Sequence, residues 1–315
     1  MTSEPRRRGI CDFGNDAGLT VYTAMLILLA LVATIENLIV IIVIGKNRSL
    51  QKPSIILLGI LAGVDFITGT VVIPIHVVMI NTWVSRDFRK NSVFMFLVVM
   101  FFSLSTVLAI SVDRFLHALR LDRYELTTKK LVFGLLLFWA VPLIITLSLA
   151  LEHYWDGLPW LMLSFFLFCL CGMIFAYIGM VLALAAHMRR AGDNTAMQAM
   201  IGNERQAVRT TLIIICACVL LNIPPVATIV LAFMGNSNNI FCATTVFVLL
   251  ANSAVNPMIY CLRMPSIRKH VFFLFTKCGK TEVEVVQAEG SESSHILRWD
   301  GGCEPDTPCA SDTHL

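Results

Sequence analysis

The sequence predicts an all-α membrane protein: a seven-transmembrane helix bundle followed by a short amphipathic eighth helix. Three observations carry this. Hydrophobic residues make up 57% of the 315-residue chain and charged residues only 14%, with a mean hydropathy of +0.77, far from the balance of a soluble domain. Seven apolar runs each reach the ~20 residues that a helix needs to cross about 30 Å of hydrocarbon. The Lys and Arg residues stand at the ends of those runs or between them, and are unequally shared between the two sides.

The runs are residues 21–45, 55–80, 93–116, 131–151, 161–187, 208–234 and 241–262. The first carries Glu36-Asn37-Leu38-Ile39-Val40 at mid-membrane depth. The second carries Leu61-Ala62-Gly63-Val64-Asp65 and then Pro74, a kink signal. A carboxylate at this depth is costly, so Asp65 must be protonated, paired, or solvated by a cation and waters. The third places Ser103 and Ser105 in its inner half and ends in Asp113-Arg114-Phe115. Arg114 reads either as an interfacial anchor or as half of a switchable pair with Asp113. The fourth has Trp139 and Pro142, and the fifth has Tyr177 towards its inner end. The sixth opens on a basic amphipathic stretch with Glu204, Arg205 and Arg209, and contains Asn222-Ile223-Pro224-Pro225, a strong kink signal.

The seventh run closes on Asn252-Ser253-Ala254-Val255-Asn256-Pro257-Met258-Ile259-Tyr260. Asn252, Asn256 and Tyr260 fall at i, i+4 and i+8, so one helix face is polar. Pro257 has no N–H and leaves the Ser253 carbonyl without its intrahelical partner. A kinked structural helix is the plain reading, since Pro and Asn serve packing in membrane helices. The polar residues on the other runs favour a hydrated core to which this helix contributes half.

Seven spans put the ends of the chain on opposite sides. With the N-terminus outside, the inner segments hold seventeen Lys and Arg against six outside, so the expected orientation is N-outside and C-inside at the plasma membrane. The expected parts are an extracellular N-terminus (1–20), the seven-helix domain (21–264), an amphipathic membrane-surface helix (265–278) and a disordered cytoplasmic tail (279–315). In the surface helix Arg268, Lys269 and His270 face headgroups, and Phe272, Phe273 and Phe275 face the acyl boundary. Cys278 beyond it suits palmitoylation, with an unmodified thiol as the alternative. Asp312-Thr313-His314-Leu315 fits PDZ recognition through Thr313 and the Leu315 carboxylate. Arg6, Arg7 and Arg8 precede no apolar stretch of the kind a cleaved signal peptide carries. Among the ten cysteines only Cys11 and Cys242 face outside in this topology, where pairing is chemically open to them.

These pieces in this order resemble the rhodopsin-like (class A) G-protein-coupled receptors. The matching residues are Asn37, Leu61-Ala62-Gly63-Val64-Asp65, Asp113-Arg114-Phe115, Trp139, Tyr177, Pro224 and Asn256-Pro257-Met258-Ile259-Tyr260, and the resemblance runs from about Val21 to Cys278. Glu36-Asn37-Leu38-Ile39-Val40 is similar to the melanocortin, lysophospholipid, cannabinoid and adenosine branch. Neither the outer end of the third span nor the loop 152–160 has a cysteine, so the outer disulfide usual in the family cannot form. A Cys11–Cys242 bond would be similar to the melanocortin pattern. The chain departs from the family where Leu221-Asn222-Ile223-Pro224 replaces a Cys-Trp-x-Pro stretch, which puts Asn222 at the position of a toggle tryptophan. Phe96 stands where amine receptors carry an aspartate, and Leu250 where opsins carry the retinal lysine.

The resemblance implies a receptor for an extracellular ligand that activates a heterotrimeric G protein by a two-state rearrangement, with arrestin as a further partner. It implies an allosteric sodium ion at Asp65, Ser103, Asn252, Ser253 and Asn256, the alternative being a water-filled network. It implies a switch made of Asp113, Arg114, Tyr177, Asn222, Pro224 and Tyr260, in which Asp113 holds Arg114 at rest. The ligand-pocket positions Phe96, Met100, Val246 and Leu249 are apolar, which suits a hydrophobic ligand. The small net charge of +3 gives no reason to expect nucleic acid as a partner. No nucleophile–base set is evident, since His76, His153 and His187 are scattered, so an enzyme is not expected. A transporter would show paired interrupted halves. A receptor-like scaffold that does not signal is the remaining alternative, because Asn222 weakens the expected switch.

Overall fold

A computed structural model of the chain describes residues 16–82, 84–120, 128–151, 158–192, 194–233 and 239–274. Seven long helices account for the apolar runs: α1 (Asp16–Lys46), α2 (Pro53–Asn81, with a π turn at Thr68–Val72), α3 (Arg86–Arg120), α4 (Thr128–Leu151), α5 (Leu158–Ala191), α6 (Thr195–Phe233) and α7 (Asn239–Arg263). A shorter helix, α8, follows at residues 265–274. Each of the seven contains a stretch long and apolar enough to cross a bilayer, and no strand occurs among the described residues. The molecule is a seven-helix membrane bundle.

Several helices overrun the apolar runs that announced them. α3 begins at Arg86 and α6 at Thr195, both well before the hydrocarbon stretch. Hydropathy marks the bilayer, whereas backbone hydrogen bonding continues until a residue stops it. The stop between α5 and α6 is local and legible. Gly192 takes φ +48°, a left-handed conformation that glycine adopts without strain. Asn194 then accepts the Met197 N–H on its Oδ1 at 3.0 Å, capping α6.

α3 is the axis of the bundle and packs on α2, α4, α5 and α6. Its buried hydroxyls are largely self-satisfied: Ser105, Thr106 and Ser111 each donate to the carbonyl four residues back, at 2.5, 2.6 and 2.9 Å. α1 rests on α2 and α7, and α6 on α5 and α7. Tyr22 ties α1 to α7 by donating to the Ala243 carbonyl at 3.1 Å. α4 packs mainly on α3; its outward Phe133, Leu136, Leu137 and Ile144 are exposed, as lipid-facing side chains are.

The π turn in α2 has an identifiable cause. Pro74 offers no N–H, and its ring crowds the carbonyl four residues back, so the turn just before it widens. Gly69 lies in that turn where α1 comes closest. A Cβ there would stand 2.7 Å from Thr34 Oγ1 and 2.9 Å from Thr34 N, and the backbone nitrogen has no freedom to retreat. Gly69→Ala is therefore expected to destabilise the purified protein by about 1–3 kcal/mol through overpacking, read as a lower midpoint of thermal unfolding in detergent. Gly63→Ala meets nothing within 4 Å and is the neutral control; equal effects of the two would contradict the packing account.

Candidate functional site: a polar junction of the second, third and seventh helices

Asp65 is fully buried on α2. Asn256 of α7 donates its Nδ2 hydrogen to Asp65 Oδ2 at 2.7 Å, and the Ser253 side chain lies beside the same carboxyl group. Asp65 Oδ1, Asn252 Oδ1 and the Tyr260 hydroxyl are buried without a hydrogen-bond partner among the described residues. Buried acceptors of this kind are costly and call for water or a cation. A cavity of about 30 Å³ lies alongside, bordered by Thr68 of α2, Ser103 of α3, Asn222 of α6, and Asn252 and Ser253 of α7. One water needs roughly 10–15 Å³ by this measure, so the space suits one or two water-sized occupants. Ser253 belongs both to the cavity wall and to the Asp65 contact. Ser103, Asn252 and Ser253 on the cavity wall, with Asp65 beside Ser253, supply the oxygen ligands that a hard monovalent cation prefers.

The backbone of α7 shows why this helix takes part. Pro257 leaves the Ser253 carbonyl free, and Asn37 of α1 fills the gap: its Nδ2 donates to Ser253 O at 2.9 Å and to its own Ala33 O at 2.8 Å. Asn37→Leu keeps the volume and removes the donor. It is expected to cost about 1–3 kcal/mol, the penalty of an orphaned buried carbonyl, measured by thermal unfolding. No loss of stability would mean that the carbonyl finds another donor.

The sequence model described as "7 transmembrane receptor (rhodopsin family)" matches residues 36–159. Melanocortin receptor 5 of Rattus norvegicus is 24% identical over 275 residues, covering 81% of this chain and 83% of its own length. Adenosine receptor A3 of Canis lupus familiaris is 32% identical over 132 residues, 40% of this chain and 41% of its own. The same receptor of Ovis aries is 24% identical over 82% of this chain and 90% of its own. The chain is thus similar to the rhodopsin-like seven-transmembrane receptors over residues 36–159, and to melanocortin and adenosine receptors over most of its length.

Near the C-terminal end of α3, the arrangement described has no contact of the kind expected at rest between Asp113 and Arg114. Asp113 is buried and accepts the Ser54 hydroxyl of α2 on Oδ2 at 2.5 Å, while its Oδ1 has no partner. No ion pair joins it to Arg114 among the described residues. Adjacent residues on a helix point away from one another, so neighbours in sequence need not touch. Arg114 borders a cavity of about 300 Å³ with Ile110 of α3, Thr210 and Ile214 of α6, and Arg263 at the end of α7. Phe115 packs on Gly179 of α5, where a Cβ has no room.

Of the remaining switch residues, Asn222 lines the small cavity. Tyr260 is fully buried. Tyr177 packs against Ala118, Met180, Leu184 and Val208, where α3, α5 and α6 meet. Asn222 is buried and donates to the Cys218 carbonyl of its own helix at 2.7 Å. Beyond Pro224, Thr228 donates to the Pro224 carbonyl at 2.9 Å and meets Thr245 of α7 at 2.8 Å. Phe96, Met100 and Leu249 line the small cavity on its apolar side. Val246, one turn before Leu249 and Leu250, is partly buried against the apolar cluster that includes Ala243, Leu250 and Ala254. Cys11, Cys278, Thr313 and Leu315 lie outside the described residues, as does the side chain of Cys242. Sequence reasoning missed Ser54, Thr68 and the Asn37–Ser253 contact.

Proposed function

We propose that the receptor sits in the plasma membrane with its N-terminus outside, binds an extracellular ligand between its helices, and activates a heterotrimeric G protein inside. The observation that supports this most is the inner end of α3. Arg114 borders a 300 Å³ cavity open between α3, α6 and the α7–α8 corner, and Asp113 is engaged by Ser54 rather than by Arg114. A cationic side chain free of its neighbouring acid at the mouth of such a groove suits docking of a partner helix. A ligand that binds this arrangement better than the resting one shifts the population towards it by the difference in affinity.

The outer ligand remains a class rather than a compound. The apolar side chains Phe96, Met100 and Leu249 favour a hydrophobic molecule. Asp65, Ser103, Asn252 and Ser253 would hold a sodium ion, whose charge would stabilise the buried carboxylate. Asn222 extends the polar lining to α6, so the sixth helix senses the same cavity as the second and seventh. The reading is tested by measuring G-protein activation across α-subunit classes, without ligand and with a lipid panel, in cells that display the receptor. Activation of at least one class above untransfected cells is expected; silence in every class would favour a receptor-like scaffold.

A further inference from the structure

A third cavity, of about 600 Å³, lies where the N-terminal part of α6 meets the end of α7, away from the polar junction and sharing Gln206 and Arg263 with the 300 Å³ cavity. Its walls include Arg205, Gln206 and Arg209 of α6, Arg263 at the end of α7 and Arg268 of α8. Four of its lining side chains are arginines and none is acidic. Arg205 and Arg209, one helical turn apart, share a face. The break at Met264, between α7 and α8, brings Arg268 to the same wall as Arg263. Glu204, the adjacent acid in sequence, is engaged elsewhere, with His117 Nδ1 3.6 Å from its Oε1. The Nε of Arg263 is buried with no partner among the described residues. Four like charges around one cavity repel one another unless an anion is shared between them.

The surroundings fix the kind of anion. α8 exposes Phe272 and Phe273 while Ile267 is buried against the bundle. Leu262, 71% exposed, borders the cavity itself. Apolar side chains that face outward give way to arginines at this level, as they do at the headgroup layer of a bilayer. We infer that the cavity is a site for a phosphoinositide, a membrane lipid with a multiply phosphorylated headgroup, held by Arg205, Arg209, Arg263 and Arg268. Guanidinium groups take phosphate oxygens in paired, charge-assisted hydrogen bonds, and the volume falls within the range of small-molecule pockets. Two of the arginines belong to α6 and two to the α7–α8 corner, so a bound headgroup ties α6 to α7 and favours the arrangement that keeps them together. Placement in the inner leaflet rests on the N-outside orientation proposed above.

The test uses the full-length receptor in phosphatidylcholine nanodiscs, with no G protein and no outer ligand. Dioctanoyl phosphatidylinositol bisphosphate, inositol trisphosphate and inorganic phosphate are titrated in turn, and bound lipid is counted by native mass spectrometry. Saturable binding of the lipid is expected, weakened about fivefold by each of Arg209→Gln and Arg263→Gln, at about 1 kcal/mol per basic residue. Thermal unfolding without the lipid shows that both variants are folded. Arg89→Gln, at the opposite end, is expected to leave binding unchanged. Equal weakening by Arg89→Gln, or trisphosphate binding as tightly as the lipid, would overturn the proposal. So would a large gain in lipid binding on truncation after Cys278, which would make the acidic tail with Glu282, Glu284, Glu289 and Glu292 the occupant. Failure of G-protein coupling leaves these results untouched, and an N-terminal epitope on intact cells reads the orientation separately.

Discussion

Ser54→Ala is expected to lower ligand-independent G-protein activation tenfold or more, and Asp113→Ala to raise it. The Ser54 hydroxyl donates to Asp113 Oδ2 at 2.5 Å in a buried position, and Asp113 Oδ1 has no partner. A hydrogen bond to a charged group contributes about 1.5–3 kcal/mol, which is about ten- to hundredfold in an equilibrium between two arrangements. Without the Ser54 hydroxyl, Asp113 has no partner in the described arrangement and its strongest alternative is the Arg114 guanidinium. That exchange closes the inner cavity's one free cation among its α3 residues. Asp113→Ala removes both alternatives and leaves Arg114 without an acid. The two substitutions act on the same contact and move basal activation in opposite directions. A fall in both, at equal surface expression, would reduce the contact to a structural one.

Asp65→Asn is expected to abolish any dependence of receptor stability and ligand affinity on sodium, and to cut ligand-driven activation about tenfold or more, a loss of at least 1.4 kcal/mol of switching free energy. The substitution keeps an oxygen for the Asn256 Nδ2 hydrogen, so the α2–α7 hydrogen bond survives while the charge goes. Asp65→Ala removes both, orphans the Asn256 donor, and is expected to lose a further 1–3 kcal/mol of stability, on the order of the desolvation penalty of a buried donor. The pair therefore separates what the charge does from what the hydrogen bond does. Unfolding midpoints of purified receptor in sodium and in choline chloride read the first; midpoints of the two variants in choline read the second. Sodium-independence of the unsubstituted receptor would remove the ion from the account and leave a water network.

The bundle was legible because bilayer-crossing helices leave an unambiguous apolar trace, and the runs 21–45 to 241–262 locate all seven. Their ends were not, because α3 from Arg86 and α6 from Thr195 continue through polar sequence that no hydropathy rule marks as helix. At the junction, helical spacing named the Asn252–Asn256–Tyr260 face, and the chemistry of proline named the free carbonyl at Ser253. The donor that satisfies it, Asn37, sits on another helix, and no local pattern links the two. The Ser54–Asp113 bond was hidden for the same reason. Arg114 is Asp113's neighbour in sequence and so the partner expected at rest, whereas in this arrangement Ser54 of α2 holds the carboxylate.

Asp65 and Asn256 are expected to act as one unit across α2 and α7. The reciprocal exchange tests this most directly: Asp65→Asn, Asn256→Asp, and both together, each assayed for ligand-driven G-protein activation at matched surface expression. The double variant restores one carboxylate and one amide to the same 2.7 Å contact, and it should recover most of the activation that Asp65→Asn loses. A double variant no better than the poorer single one would contradict the claim, since it would show two residues acting separately.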